Sequence, residues 1–179
     1  MVIEVSQYDP DWPAQFRAEA AALTELLAPW LAAPVEHIGS TAVPGLAAKP
    51  ILDMMAGVRD LTTARDAIPV LTKRGYVHTQ HRPATLSFSK PRPEDPARFS
   101  HHLHLAEPGS SLWRERLAFR DSLRADPALA RQYQQLKEKL AADSPDVAGY
   151  TAGKREFVVQ VLARAGVTAE QWRRPAADS

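Results

Sequence analysis

The residues best suited to chemistry occupy one stretch, residues 35–55, in which a loop joins two apolar runs of the β type. Three small residues of this loop can offer backbone N–H groups and hydroxyls to an anionic ligand. They are Gly39, Ser40 and Thr41. Lys49 adds a positive charge, so the loop predicts a pocket for a phosphate or polyphosphate group. Asp53 follows in the second apolar run, where a lone carboxylate is costly unless it has a partner or a metal.

A purely structural interpretation of the loop stays open, because Gly39 and Gly45 can serve tight turns that Pro44 and Pro50 stiffen. A connector does not need a lysine and an isolated acid at its end, so a binding site is favoured. The spacing of a Walker loop is missing, and so is the dinucleotide-binding glycine pattern. Ser40 has no triad arrangement around it that would indicate a serine hydrolase.

Two histidines provide a second set of candidate ligands. His102 and His104 alternate with Leu103 and Leu105, so a strand places both imidazoles on one face. If this strand neighbours the one that carries Asp53, the acid and the two histidines could form a metal site. Two imidazoles and a carboxylate suit Zn²⁺, Mn²⁺ or Fe²⁺ better than Mg²⁺. The alternative is that the histidines hydrogen-bond the carboxylate or contact a substrate phosphate.

Basic residues extend the predicted pocket. Arg120 lies within the apolar arc of its predicted helix, where it needs an anion: Asp53, another internal acid or a ligand phosphate. A structural salt bridge is the alternative for this arginine. Lys137 and Lys154 stand beside the apolar stripes of later helices. Each alone is typical of a surface lysine, but together with Lys49 and Arg120 they could line a phosphate site.

Composition sets broad limits on the class of protein. The chain has 179 residues, 45% hydrophobic and 24% charged, which fits one globular domain with its own core. A formal net charge of +1 argues against a protein that coats nucleic acid or an acidic membrane, and the absence of cysteine excludes disulfides and thiolate zinc sites. No signal-peptide pattern and no apolar run of the ~20 residues that span a bilayer are found, so a soluble, cytoplasmic protein is expected.

Hydrophobic periodicity predicts a mixed α/β part over about residues 1–106 and a helical part over about residues 110–173. An edge strand is expected at Val2 to Val5. Further strands are predicted at residues 35–38, 51–58, 76–79, 85–90 and 99–106. Helices are predicted at residues 12–28, 60–74, 112–125, 127–142 and 151–165.

The loop residues also resemble the hallmark of a known family. Three segments carry the resemblance: His37-Ile38-Gly39-Ser40-Thr41, Val43-Pro44-Gly45-Leu46 and Lys49-Pro50-Ile51-Leu52-Asp53. Matches elsewhere are Tyr8, Trp12, Phe16, His102-Leu103-His104-Leu105, Gly109-Ser110, Trp113, Phe119-Arg120-Asp121, Leu136-Lys137, Tyr150 and Lys154. Together they are similar to the GrpB family, which is placed with the nucleotidyltransferases. The resemblance implies a nucleotidyltransferase-like α/β (α+β) fold, a mixed β-sheet flanked by helices with a C-terminal helical part, in a single domain over residues 1–179.

What the resemblance implies for the chemistry depends on one departure from the superfamily pattern. Nucleotidyltransferases place Gly-Ser after one strand and a pair of acids on the next, and that pair binds two Mg²⁺ ions. Gly39 and Ser40 precede Asp53 at the right kind of spacing, but Met55 takes the place of the second acid and cannot ligate Mg²⁺. This departure argues against a two-metal mechanism in its usual form.

Two functions follow from the resemblance and the residues together. The first is an enzyme for nucleotidyl or phosphoryl transfer to a small molecule, with a divalent metal (Mg²⁺, Mn²⁺ or Zn²⁺) as candidate cofactor. Its predicted catalytic and metal-binding residues are Asp53, His102 and His104. Its predicted phosphate- or nucleotide-binding residues are Gly39, Ser40, Thr41, Lys49, Arg120, Lys137 and Lys154. The second is a non-catalytic module that binds a nucleotide or a coenzyme A precursor, since relatives occur fused to dephospho-coenzyme A kinase. A phosphorylated small molecule or nucleotide is the expected partner in both, and the oligomeric state is left open.

Overall fold

A computed structural model describes residues 5–79, 84–144 and 146–172, which form a five-stranded β-sheet covered by helices. The elements are α1 (Trp12–Leu27), β1 (Leu31–Ile38), β2 (Leu52–Val58), α2 (Ile68–Lys73), β3 (Val77–Thr79), β4 (Leu86–Pro91), β5 (Phe99–Ala106), α3 (Ser111–Ala125), α4 (Pro127–Asp143), α5 (Val147–Gly153) and α6 (Arg155–Arg164). Short 3₁₀ turns occur at Ser40–Ala42, Thr63–Ala67 and Glu170–Trp172. None of the helices in these described ranges is both long and apolar enough to cross a membrane.

The sheet is mixed, as the sequence predicts. Its strands lie in the order β1-β2-β5-β4-β3, with β2 and β5 parallel and the other neighbouring pairs antiparallel. The strand with the two histidines therefore does lie beside the strand with Asp53. In the register of this parallel pair, Asp53 stands opposite His102 and Met55 stands opposite His104.

The two faces of the sheet carry different kinds of residue, because successive side chains of a strand point to opposite sides. One face packs on α1 and α2 through a core that includes Leu23, Leu27, Met54, Leu71, Phe88 and Leu103. The other face packs on α3 through Ile38, Met55, Ala106 and Leu112. Fully burying such a side chain contributes roughly 1.5–3 kcal/mol, so these two clusters fix which face Asp53 and the histidines present.

Local signals set the starts of the two helices that follow the sheet. Ser110 caps α3, where its Oγ accepts the backbone N–H of Trp113. Asp126 caps α4, where its carboxylate accepts the N–H groups of Ala128 and Leu129. Pro127 is favourable in the first turn of α4 because the helix needs no donor there. Local sequence therefore determines where α3 ends and α4 begins.

The C-terminal helices pack against the loop that follows β1. A separate apolar cluster joins loop residues to α3, α4 and α6, and it consists of Val43, Leu46, Leu123, Leu129, Tyr133 and Val161. This packing is what brings the lysines of α4 and of the α5–α6 junction over the Gly-Ser-Thr segment. The arrangement could not be deduced from any one element.

Several predicted boundaries differ from the structure. The predicted helix at 60–74 is a 3₁₀ turn followed by the short α2, with Pro69 in its first turn. The predicted helix at 151–165 is two helices, α5 and α6, which meet at Lys154. Most of the edge strand expected at Val2 to Val5 lies outside the described residues. Beside it, Ser6 forms an isolated bridge with Ala48.

Candidate functional site

Seven of the ten predicted site residues line one cavity of about 290 Å³, which lies between the Gly-Ser-Thr loop, the start of β2, β5 and the α4–α5 region. We call it the cationic cavity. Its lining includes Ser40, Thr41, Lys49, Asp53, His102, Lys137, Tyr150, Thr151 and Lys154. Residues separated by more than a hundred positions in the chain thus form a single concave surface.

A second cavity of about 220 Å³ adjoins the first, and we call it the aromatic cavity. Its lining is Gly39, Ser40, Asp53, Glu115, Arg116, Phe119, Tyr133, Thr151, Lys154, Val158 and Trp172. Ser40, Asp53, Thr151 and Lys154 line both cavities. The two cavities are therefore lobes of one cleft, with Asp53 and Lys154 at their shared boundary.

The Gly-Ser-Thr segment is held tightly against β2. Gly39 has φ +72° and ψ −170°, a conformation that other residues rarely adopt. A Cβ atom at this position would stand 2.5 Å from Oδ2 of Asp53, so only glycine allows the loop to approach the acid so closely. Ser40 and Tyr133 both line the aromatic cavity. Thr41 Oγ1 lies 3.0 Å from Nε2 of His37, which holds the far end of the segment inside the protein.

Three lysines supply the positive charge of the cationic cavity. Lys49 and Lys154 place their Nζ atoms 4.5 Å and 4.4 Å from the centroid of the Tyr150 ring, distances at which a cation is attracted to the ring face. Lys137 is buried and donates a hydrogen bond to the backbone carbonyl of Ala47. Each ammonium group thus contacts a ring or a carbonyl.

Burial makes these ammonium groups easy to deprotonate. It lowers the pKa of Lys137 to about 7, and the charge of Lys154 adds to the effect. Burial also lowers the pKa of Lys154 to about 8, with a further contribution from Lys49 that Asp53 opposes. The pKa of Lys49 is lowered by burial too, again against the charge of Asp53. The cluster therefore carries more like charge than its single acid neutralises.

Serines of β4 orient the two histidines. Ser89 Oγ and Nδ1 of His102 are hydrogen-bonded at 2.9 Å, and Ser87 Oγ and Nδ1 of His104 at 3.1 Å. His102 lines the cationic cavity beside Asp53, whereas His104 lies two register positions further along the same two strands, opposite the apolar Met55. The two histidines share a face, as predicted, but they have different surroundings.

The predicted three-ligand metal site is not formed. Within the described ranges, no three His, Asp or Glu side chains are grouped so that they could hold a metal ion. Asp53 is paired with His102 in the register of β2 and β5. His104 is paired with Met55 instead, two positions further along the strands. One carboxylate and one imidazole at the cavity are fewer donors than a two-metal centre needs.

Arg120 is placed differently from the phosphate-binding role predicted for it. Its NH1 donates to Oε2 of Glu36 at 2.6 Å and to the carbonyl of His37 at 3.0 Å, and its Nε donates to Asp121 at 2.8 Å. It lines neither lobe of the cleft. The apolar arc of α3 buries the guanidinium, and the protein's own acids satisfy it, so the salt-bridge alternative describes this residue.

The sequence reasoning missed several cleft residues. Glu115 is 2% exposed on α3, and Tyr133, Tyr150 and Trp172 supply aromatic walls. The hydroxyl row formed by Thr85, just before β4, and by Ser87 and Ser89 within it did have a signal, because these residues alternate with apolar ones. Glu115 had none, since nothing local distinguishes it from an exposed helix acid.

Comparison with known proteins identifies the family. A family model described as GrpB protein matches residues 2–164. The chain belongs to the GrpB family. A UPF0157 protein of Deinococcus radiodurans is 41% identical over 133 residues, covering 74% of this chain and 68% of that protein. A UPF0157 protein of Pseudomonas aeruginosa is 40% identical over 167 residues, covering 91% of this chain and 67% of that protein.

Solved structures confirm the fold that the resemblance implies. The crystal structure of GrpB from Enterococcus faecalis is similar at a TM-score of 0.80 and 32% identity, covering 90% of this chain and 96% of that chain. The Cid1 poly(U) polymerase, solved with Mg and 3′-dATP bound, is similar at a TM-score of 0.54 and 15% identity, covering 84% of this chain and 50% of that chain. This GrpB-family chain thus has the nucleotidyltransferase fold.

Proposed function

We propose that this GrpB-family protein binds a nucleotide or another phosphorylated small molecule, with the phosphates in the cationic cavity. The observation that carries the proposal is the convergence of Lys49, Lys137 and Lys154 on a cavity where Asp53 is the one acid among the described lining residues. Buried like charges repel each other, and a bound polyanion would offset that repulsion. Phosphate groups match the need because each brings charge and several acceptor oxygens.

The remaining lining residues supply directional contacts for such a ligand. The hydroxyls of Ser40 and Thr151 and the imidazole of His102 line the same cavity as the lysines. Hydroxyl and imidazole donors select acceptor oxygens, whereas the lysines act as point charges. We therefore assign phosphate binding to Ser40, Lys49, His102, Lys137, Thr151 and Lys154, and a positioning role to Gly39 and Thr41.

A metal-dependent transfer reaction is the second candidate, and one observation favours it. Asp53 lies at the boundary between the lobes, beside His102, where a carboxylate could accept the proton of an attacking hydroxyl. The fold likeness to a polymerase solved with Mg and a nucleotide analogue agrees with this candidate. Asp53 is also the one acidic donor shared by both lobes through which a Mg²⁺ brought by the phosphates could be held. Without a second acid, binding alone is the better-supported function.

Isothermal titration calorimetry on the purified protein tests the binding proposal. The probes are tripolyphosphate, ATP, CTP, GTP and UTP, each with and without Mg²⁺. We expect Lys154→Met to weaken binding at least tenfold, which corresponds to about 1.4 kcal/mol. Lys139→Met is the matched control, because Lys139 is an exposed lysine on α4. The affinity of this variant for each probe should stay within twofold of the wild-type affinity. Absence of binding by every probe, or equal effects of the two substitutions, contradicts the proposal.

Asp53→Asn separates binding from transfer. If the protein only binds, this substitution removes a negative charge beside the phosphates, and metal-free affinity should rise. If the protein catalyses nucleotidyl transfer, the wild type supplied with Mg²⁺, a nucleoside triphosphate and a small-molecule hydroxyl acceptor should join the nucleotidyl group to the acceptor oxygen and release pyrophosphate, with Asp53 taking the hydroxyl proton. The substituted protein should then bind the nucleotide and release none.

A further inference from the structure

We infer that Glu115 recognises the organic part of the ligand by accepting a hydrogen bond from a hydroxyl or amino group in the aromatic cavity. This inference rests on the proposed function, since it assumes that phosphates occupy the neighbouring lobe. It assigns a ligand-recognition role to a residue outside the Gly-Ser-Thr loop and outside the strands of the sheet.

The Glu115 side chain has one oxygen satisfied and one that is not. The residue is 2% exposed, and its Oε1 accepts the backbone N–H of Gln171 at 3.0 Å. Its Oε2 is buried and has no hydrogen-bond partner among the described residues. Leaving a buried acceptor unpaired costs roughly 1–3 kcal/mol, and more when it is charged. A ligand O–H or N–H group that reaches this oxygen would recover that free energy.

The position of Glu115 determines which chemical group of a ligand it can bind. It lines the aromatic cavity and not the cationic cavity, so, among the described lining residues, a carboxyl group with a free acceptor oxygen stands only in the lobe away from Lys49 and Lys137. A carboxylate repels phosphate but attracts hydrogen-bond donors. Phe119, Tyr133 and Trp172 complete the walls with rings, which suit a sugar or a planar base.

The combined cleft therefore fits a ligand with two unlike ends. One end is a phosphate chain, and the other is an uncharged organic group that carries hydroxyl or amino donors. A nucleoside phosphate has this composition: its ribose carries hydroxyls, and some of its bases carry amino groups. The volume of about 220 Å³ in the second lobe leaves room for such a group.

A structural role for Glu115 must be separated from recognition, because Oε1 also anchors the turn at Glu170–Trp172. The same turn has a second anchor, where Nε2 of Gln171 donates to Ser111 Oγ at 2.9 Å. Ser111→Ala loosens this anchor without changing the acid. In Glu115→Gln, the amide oxygen can still accept the Gln171 N–H. The amide NH₂ then replaces Oε2, and it cannot accept a hydrogen bond from the ligand's O–H or N–H group.

The test compares tripolyphosphate with ATP, CTP, GTP and UTP by isothermal titration calorimetry. We expect at least one nucleotide to bind at least tenfold tighter than tripolyphosphate to the wild type. Glu115→Gln should remove most of that difference and leave tripolyphosphate affinity within twofold. Glu170→Gln, a substitution of an exposed neighbouring acid, should change neither affinity. An equal effect on all four nucleotides identifies the ribose hydroxyls, and an effect that spares UTP identifies the amino group of the base.

Three outcomes overturn the inference. The first is that nucleotides bind no tighter than tripolyphosphate. The second is that Glu115→Gln weakens the binding of nucleotides and tripolyphosphate equally. The third is that Ser111→Ala alone causes the whole nucleotide-specific loss of affinity. Failure of tripolyphosphate to bind at all is a different result, because it contradicts the phosphate site. Glu115 is then judged on the nucleotides alone, and unchanged nucleotide affinity in Glu115→Gln overturns its role.

Discussion

Gly39 lies directly against the carboxylate of Asp53, so closely that a Cβ atom on Gly39 would stand 2.5 Å from Oδ2. Gly39→Ala should therefore push the acid away from its place between the two lobes. The backbone conformation at Gly39 adds a cost of about 1–3 kcal/mol for any residue with a side chain. We expect a loss of this size in the free energy of unfolding, measured with urea, together with a changed nucleotide affinity.

Gly45→Ala is the matched control for this prediction. Gly45 also has a positive φ, +77°, but a Cβ atom there would meet nothing within 4 Å. The substitution should lower stability through backbone strain alone and leave nucleotide affinity unchanged. Equal affinity changes in the two variants would show that general loosening of the loop, and not the contact with Asp53, is responsible.

The buried lysines predict a stability that rises with pH. The pKa values of Lys137 and Lys154 are lowered to about 7 and about 8, whereas an unfolded lysine titrates near 10.4. Between pH ~7 and ~10 the unfolded chain binds more protons than the folded protein, so the free energy of unfolding increases with pH. Above this range the trend should reverse, because burial raises the pKa of Tyr150 to about 12. Urea denaturation at pH 7, 8 and 9 measures the slope.

Lys137→Met checks which group is responsible for the rise of the free energy of unfolding with pH. This variant should lose much of that rise, whereas Lys139→Met should retain it. A bound polyphosphate favours the protonated lysine, so raising the pH from 7 to 9 should weaken binding more in the wild type than in Lys137→Met. The ligand's own titration is common to both proteins, and the difference between them reports the lysine. A slope that is the same in all three proteins would contradict the assignment.

Arg120 should matter for stability and not for ligand affinity. Its guanidinium satisfies Glu36 and Asp121 from a largely buried position, so Arg120→Met should lower the free energy of unfolding by roughly 2–3 kcal/mol. Nucleotide affinity of the folded fraction should stay within twofold. Arg116→Met is the contrasting variant, because Arg116 lines the aromatic cavity, and it should reduce affinity with little loss of stability. The reverse pattern would restore the phosphate-binding role to Arg120.

His102 and His104 should differ in function despite their shared face. His102→Ala removes a donor from the cationic cavity and should weaken tripolyphosphate binding about fivefold, or about 1 kcal/mol. His104→Ala acts beside Met55 and should leave that affinity within twofold. Both substitutions leave a serine of β4 without its imidazole partner, so similar losses of stability are expected. Calorimetry measures the affinity of the two variants, and urea denaturation measures their stability. An equal loss of affinity in His102→Ala and His104→Ala would contradict the different roles of the two histidines.

Local chemistry was enough to locate the centre of the candidate site. The glycine, hydroxyl and lysine residues of one loop, followed by an isolated Asp53, indicated an anion site before any fold was known. Period-two alternation placed His102 and His104 on one face, and the register confirms that this face is shared with Asp53. Such inferences succeed because strand periodicity and loop chemistry depend on neighbours in the sequence.

Contacts between distant segments were beyond the same reasoning. Arg120 on α3 could have met Asp53, another acid or a ligand, and the packing of α3 against β1 gave it Glu36. Asp53 pairs with His102, two register positions before His104, because of the alignment of two parallel strands, which neither strand specifies by itself. These alignments decide which side chains could act together at the cavity.

The sequence by itself therefore determined the loop, the strand faces, the caps of α3 and α4, and the family to which the chain belongs. Only the tertiary structure decided that Lys49, Lys137 and Lys154 share one cavity and that the buried Glu115 lines a second. The physical reason is that both outcomes depend on how the C-terminal helices pack on the loop after β1. That packing is fixed by an apolar cluster drawn from four separate segments, and burial acts there on charged groups whose local sequence is unremarkable.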